Sequence, residues 1–294
     1  MLDISVAGKP NFAFVTPSYS KDFERCRLLV ESVRRCCPGA RHFLIVDRYD
    51  IQQFRSLASD TTIVVESEQV VDRFLHRLPT SHGIWVSMRS LPVRGWIMQQ
   101  IRKIAAVELA TEGTLIFCDS DMVFVRPFDE GSLLIDGRVG LLDVPFENAE
   151  SRQWTRVARQ ILDLPQGGPV RGHVGQMICW KRDVMIAMQQ RITEVHGKPW
   201  QLILARLPSF SEYILYGVFV REILGYRNAG HAPSQVPLVK TSWDSDITTP
   251  VGLRAFFADI SDENIAVMAH SKDPIDWHLY CELVERQWKK FGVA

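Results

Sequence analysis

Residues 114–129 read TLIFCDSDMVFVRPFD, and the fold turns on how this stretch is read. Thr114 to Cys118 is a short apolar run of the kind that makes a buried strand, and it delivers two carboxylates, Asp119 and Asp121, at its carboxyl end. Ligands of open α/β sheets bind at that edge. Carboxylates at i and i+2 of a strand end can share one hard divalent cation, directly or through water, and leave its open positions to diphosphate oxygens. The same Asp-x-Asp spacing also occurs in turns, where the side chains cap backbone N–H groups.

Upstream, Phe12 to Val15, Phe43 to Val46 and Thr62 to Val65 are apolar runs rich in Val, Ile and Phe, and each is expected to form a strand. Between the first two, FERCRLLVESVRRCC repeats Phe23, Leu29, Val30 and Val33 at helical spacing until Pro38-Gly39 stops it. A second helix, Arg94 to Ala110, carries Ile97, Ile101, Ile104 and Ala105 on one face and Gln99, Gln100 and Lys103 on a more polar one, then feeds through Gly113 into the strand at 114. This alternation predicts a parallel sheet with helices between its strands, in a single-domain α/β fold over residues 1–294. Three of its strands end in polar residues on one edge, at Thr16-Pro17-Ser18-Tyr19, Asp47-Arg48 and Asp119-Ser120-Asp121.

Downstream the pattern is looser. Val139 to Leu142, Val174 to Cys179 and Ile265 to Met268 are expected as strands. Arg152 to Leu162, Arg182 to Thr193, Glu212 to Leu224 and Trp277 to Phe291 are expected as helices, with PQGGPVRGH (165–173) as a loop.

The chain has 294 residues, and its 34 Lys and Arg balance 34 Asp and Glu, which leaves no field to hold a polyanion and argues against nucleic acid as a partner. No window reaches the ~18 apolar residues of a membrane span, and the start lacks a basic segment followed by an apolar one, so a cytoplasmic protein without a transmembrane segment is expected. The six cysteines form neither CxxC pairs nor zinc spacings and are expected reduced, most of them buried.

The segment RGWIMQQIRKIAAVELATEGTLIFCDSDMVFVRPF (94–128) resembles a bacterial, poorly characterised family of glycosyltransferase-like proteins with a DxD motif and the GT-A fold, which implies a Rossmann-like α/β domain with a mixed, mostly parallel central sheet flanked by helices. The likeness runs from Phe12 to about Trp277 and is strongest over this segment. It implies metal-dependent transfer of a sugar from a nucleoside diphosphate sugar, UDP favoured, to an acceptor hydroxyl, with Mn2+ or Mg2+ as the cofactor. It divides the chain into a nucleotide-sugar and metal half at about 10–130 and an acceptor half at about 131–294. Thr16, Ser18 and Tyr19 would hold the nucleoside and Asp47 the base or ribose. Asp119, with Ser120 in the motif, would face ribose or metal, and Asp121 would chelate the metal.

Other residues are weighed beside that likeness. A cation at Lys103, on the face shared with Gln99, can reach the donor's diphosphate or sugar, with Arg94 as a weaker candidate; the alternative is a solvated helix lysine. His270 and Lys272 are similar to the late His and Lys of glycogenin-like transferases that hold metal and diphosphate, although HSKDPIDW departs from HxxGxxKPW. Glu212 is either the general base for an acceptor hydroxyl or, behind Ser209 or Ser211, a first-turn carboxylate favoured by the helix dipole. Asp143 and Glu147 are alternative bases, and His173 and Gln176 are placed to contact the sugar or its oxocarbenium-like transition state.

The acceptor is expected to be a glycan, glycolipid or other hydroxyl compound, such as a bacterial surface glycan. Trp288, Lys289, Lys290 and Phe291 offer a peripheral contact with the inner face of a membrane, unless that helix packs on the core. Competing readings are a non-catalytic nucleotide-sugar or glycan binding protein on the same fold and, further off, a phosphatase of the haloacid dehalogenase type, whose Asp-x-Asp belongs on the first strand. A nucleotidyltransferase is disfavoured because TPSYSK (16–21) has no glycine.

Overall fold

β1 (Phe12–Pro17) is buried along its whole length, and its side chains alternate between two apolar cores: Ala13 and Val15 join one, Phe12 and Phe14 the other. A strand that is apolar on both faces belongs inside a sheet covered on both sides. The computed structural model, which describes residues 10–78, 85–87, 90–243 and 245–293, has that arrangement. α1 (Phe23–Cys36) leads from β1 to β2 (Arg41–Val46), and α2 (Ile51–Phe54) from β2 to β3 (Thr62–Glu66). A small antiparallel sheet follows, of β4 (His76–Arg77), β5 (Trp85–Ser87) and β6 (Ser90–Val93); α3 (Gly95–Ala105) then returns the chain to β7 (Thr114–Phe117).

Beyond the turn at Asp119–Asp121 come β8 (Met122–Phe124), β9 (Leu134–Ile135), β10 (Arg138–Leu142) and α4 (Ala149–Ile161), followed by β11 (Ile178–Lys181), α5 (Arg182–His196), α6 (Trp200–Ala205) and α7 (Glu212–Val218). β12 (His231–Ser234), β13 (Val239–Thr241), α8 (Pro250–Ala258), β14 (Ala266–Met268) and α9 (Trp277–Lys290) complete the order. The central sheet runs β11-β7-β1-β2-β3; every neighbouring pair is parallel except β11 with β7. The strand and helix alternation predicts its parallel part, β7-β1-β2-β3 with flanking helices; the antiparallel β11 makes the sheet mixed. α3, α5 and α7 cover one face through Ile97, Ile101, Met188 and Leu215, while α1 and α9 cover the other through Leu29, Val33, Leu279 and Val284.

This topology gathers the site. Parallel β1, β2 and β7 end on one edge, so the loops at 18–19, 47–48 and 118–121 converge there. Because β11 is antiparallel to β7, with Ile178 opposite Phe117, the segment entering β11 starts at that same edge. β14 is antiparallel to β8, with Met268 opposite Met122, so the residues leaving β14 arrive beside Asp121. Segments more than fifty residues away thereby meet the two aspartates, Gln176 at Asp119 and Ser271 at Asp121.

Three expectations are corrected. The strand expected from Val174 begins only at Ile178, because Met177 takes φ 56°, a left-handed conformation that breaks an extended run. The helix from Glu212 is α-helical only to Val218 and finishes as a π-helical stretch over Phe219–Leu224. Trp288 is not a membrane contact: it is buried, its Nε1 donates to the Phe124 carbonyl at 2.8 Å, and Arg35 lies 4.7 Å over its ring. Among the described residues no helix is long and apolar enough to cross a membrane. Five cysteines are buried, and Cys281 is half-buried.

Candidate functional site

At the carboxyl edge of the parallel strands lies a cavity of about 570 Å³, within the ~300–1,000 Å³ range of small-molecule sites. Its walls are polar. Ser18 and Tyr19 come from the end of β1, Asp47 from β2, Asp119, Ser120 and Asp121 from β7, Gln176 from the approach to β11, Tyr213 from α7, and His270 and Ser271 from the exit of β14. Ser120 donates its hydroxyl to Ser18 Oγ at 2.8 Å and ties the first strand end to the third.

The two aspartates differ in state. Asp119 is held at both oxygens: Oδ2 accepts from Gln176 Nε2 at 3.0 Å, and Oδ1, though it has no hydrogen-bond partner, is ion-paired with Lys103 Nζ at 3.1 Å. Burial pushes its carboxyl upward, but the Lys103 charge and the Gln176 amide outweigh that and hold it below the ordinary range. Asp121 accepts one backbone N–H, from Ser271 to Oδ2 at 2.9 Å, while its buried Oδ1 has no partner. Burial first, and the neighbouring Asp119 charge second, push Asp121 up to about 7. One carboxylate is therefore locked as an anion, and the other is left short of a positive partner.

The locking cation comes from α3. Successive helix residues diverge by about 100°, so Arg102 and Lys103 reach different strand ends. Lys103, 3% exposed, also contacts Tyr213 Oη at 2.7 Å and Glu212 Oε1 at 3.3 Å. Burial alone would lower its pKa, but Asp119, Tyr213 and Glu212 together hold it well above the ordinary lysine value. Glu212 is itself buried and raised, chiefly by desolvation, and its backbone N–H donates to Gln100 Oε1 at 2.9 Å. Arg102 pairs with Asp47, and Arg77 Nε lies 3.0 Å from the other oxygen of the same carboxylate.

The structure thus brings Ser18, Tyr19, Asp47, Gln99, Asp119, Ser120, Asp121, Gln176 and His270 to the lining of one cavity. Lys103 is no solvated lysine; with Glu212 it stands behind Asp119 rather than on the cavity surface. Ser211, not Ser209, caps α7 through Ile214 N–H, whereas Ser209 accepts from the Trp154 indole. Four more expected residues, besides Lys103 and Glu212, do not line the cavity. Thr16 is spent on His42 Nε2 at 2.9 Å; Arg94 is an exposed residue preceding α3; Lys272 is exposed; and His173 donates from Nδ1 to the Leu142 carbonyl at 2.7 Å and packs its ring on Gly217. Asp143 is held by Arg171 and Tyr226.

Sequence reasoning passed over Asp22, Arg77, Trp85, Arg102, Tyr213 and Ser271, all of which line the cavity. Arg102 and Tyr213 adjoin residues that were singled out, Lys103 and Glu212, and an amphipathic reading that admits buried ion pairs would have found them. Trp243, 54% exposed, also lines the cavity, whereas Trp180 is fully buried on Tyr216 and Trp277 stacks on Tyr280.

Among the described residues no three His, Cys, Asp or Glu side chains stand close enough to cage a metal by themselves. Small divalent cations at phosphate-transfer sites are typically held by one or two carboxylates together with substrate phosphates and water. Asp119, Asp121 and His270 line one cavity without forming a three-ligand cage, and the buried Asp121 Oδ1, which has no hydrogen-bond partner, suits that role.

Over residues 13–268 the chain matches a family of unknown function, DUF6492, and it belongs to that family. No curated protein matches it.

Proposed function

We propose that the 570 Å³ cavity is the donor site of a metal-dependent glycosyltransferase of GT-A type, which moves a sugar from a nucleoside diphosphate sugar, UDP favoured, to an acceptor hydroxyl. One observation carries the reading. Asp121 presents a buried, unpartnered carboxylate oxygen at the carboxyl edge of parallel strands, where it is matched to a cation and, through it, to a diphosphate.

Asp121 would hold a divalent cation, with Asp119 and His270 lining the same cavity, and the cation would supply charge neutralisation for the departing diphosphate. The protein's own residues do the rest. Gln176 and Lys103 fix Asp119 so that its orientation is set before ligand enters. The Ser18–Ser120 bond holds the first and third strand ends in register. In the transfer, the acceptor oxygen bonds to the anomeric carbon as the bond from that carbon to the diphosphate oxygen breaks; the diphosphate takes the electron pair, and the hydroxyl proton passes to water or a cavity carboxylate. Asp22 faces the cavity and Glu212 does not, so in this reading Glu212 positions Lys103 and is not the base.

The competing reading, a nucleotide-sugar binding protein without turnover, is favoured by one feature: Asp119 and Glu212 are both committed to Lys103. Release of nucleoside diphosphate separates the two. Incubation with UDP-sugars, Mn2+ and a mixture of hydroxyl acceptors should release UDP, and Asp121→Asn should abolish the release. Tight donor binding with no release from any donor and acceptor pair would leave the binding-protein reading.

A further inference from the structure

Beside the polar cavity lies a second one of about 260 Å³, and none of the described residues lining it carries a charge. The two hollows share Val174, Gly175, Gln176 and Trp243, so they meet at the segment whose Gln176 holds Asp119. Leu142, Val144, Leu238 and Val239 form aliphatic walls. Around its mouth Ile135 and Val174 are each 38% exposed, Trp243 54% and Val236 55%. Single exposed apolar residues are ordinary, but four around one hollow make a patch that marks a binding surface.

Chemistry selects the occupant. Ser132, Ser234, Thr241 and Gln176 are the polar side chains of this cavity, too few to partner the hydroxyls around a whole sugar ring, whereas an alkyl chain gains by leaving water against the aliphatic remainder. An apolar cavity of about 150 Å³ accepts benzene, so 260 Å³ has room for a longer aliphatic group.

We propose that the second cavity takes the alkyl portion of the acceptor, so that a hydroxyl at the polar end of that amphiphile is presented to the first cavity past Gln176. This rests on the donor-site reading of the first cavity and adds the class of acceptor: an alkyl-bearing hydroxyl compound rather than a free oligosaccharide. Val236 and Ile135 line only the second cavity, and Trp243 lies where both open.

The test uses methyl, hexyl and octyl β-glucoside below their micelle-forming concentrations, titrated into the full chain and followed by saturation-transfer NMR. UDP binding with Mn2+ is measured on the same samples. Affinity should climb across the series by up to about fourfold per buried methylene, with saturation passing to the chain protons. Val236→Asp, at an exposed position, should weaken octyl glucoside at least tenfold while leaving the melting temperature and UDP binding in place. A flat series, or octyl binding untouched by both Val236→Asp and Ile135→Asp, overturns the proposal and leaves the donor site standing if UDP still binds. A climbing series with no nucleotide or nucleotide-sugar binding overturns the acceptor role together with the donor reading.

Discussion

Replacing Lys103 with methionine keeps nearly the same reach and removes one charge from the centre of a buried cluster. In the parent the ammonium lies 3.1 Å from Asp119, 3.3 Å from Glu212 and 2.7 Å from the Tyr213 hydroxyl. Without it Glu212, 5% exposed, is left as an unpaired buried carboxylate beside a second one. Breaking a buried ion pair from one side costs about 3–5 kcal/mol. The lower end applies, because the Asp119 side chain is 30% exposed and keeps its Gln176 bond, and because Glu212, already raised by burial, can take up a proton. The expected loss is therefore about 3 kcal/mol near neutral pH, a fall in melting temperature of roughly 6–12 °C for a domain of this size.

Thermal and urea unfolding followed by circular dichroism measure it. The double variant Lys103→Met with Glu212→Gln should recover about 1–2 kcal/mol, since the amide needs no counter-charge. The deficit of the single variant should also shrink as pH falls, because protonating Glu212 removes the uncompensated charge. A single variant within about 0.5 kcal/mol of the parent, or a double variant less stable than the single, would refute the view that Lys103 compensates this cluster.

Three further outcomes follow from buried groups elsewhere. Burial pushes His231 down to about 4 from an ordinary value of 6.5, and its Nε2 pairs with the Tyr216 hydroxyl at 2.8 Å. The unfolded chain therefore binds the proton first: stability from this group is full above about pH 6.5 and falls by on the order of 3 kcal/mol on the way to pH 4, and urea midpoints should show a shallower acid decline in His231→Asn. In Gly217→Ala the new Cβ would stand 2.2 Å from the buried His173 ring, so a loss of about 1–3 kcal/mol is expected by chemical denaturation, and an unchanged midpoint would mean that the ring moves freely. Asp47→Asn strips the shared anion from Arg102 and Arg77 and should destabilise by about 3 kcal/mol; a neutral outcome in the same assay would show that water already screens the pair.

The parallel core was legible because β1, β2, β3 and β7 are apolar runs separated by one strong helical period in α1 and another in α3. Asp119 and Asp121 were legible for the same reason, since a strand followed by acids needs only local sequence. What escaped is long-range. The polar face of α3 reads as a solvent face, yet Lys103 and Arg102 are buried there by carboxylates on other elements, and Lys103 meets Tyr213 110 positions away. β4, β5 and β6 are two to four residues long, too short to build a period, so Arg77 and Trp85 gave no local sign of reaching the cavity. Met177 satisfies a strand pattern in composition, and only the backbone shows the left-handed turn just after Gln176. The amphipathic pattern of α9 fits a membrane face and a core face equally, and the hydrogen bond from Trp288 to Phe124 decides for the core.

The claim that Asp121 anchors a metal-bound nucleotide sugar is tested most directly by calorimetry. UDP-, GDP-, CMP- and dTDP-sugars are titrated into the protein with Mn2+, with Mg2+ and with chelator, then into Asp121→Ala. The account predicts saturable binding of one donor that needs the metal and is lost in the variant. Binding that survives both chelator and Asp121→Ala, or no binding of any donor with either metal, would contradict it.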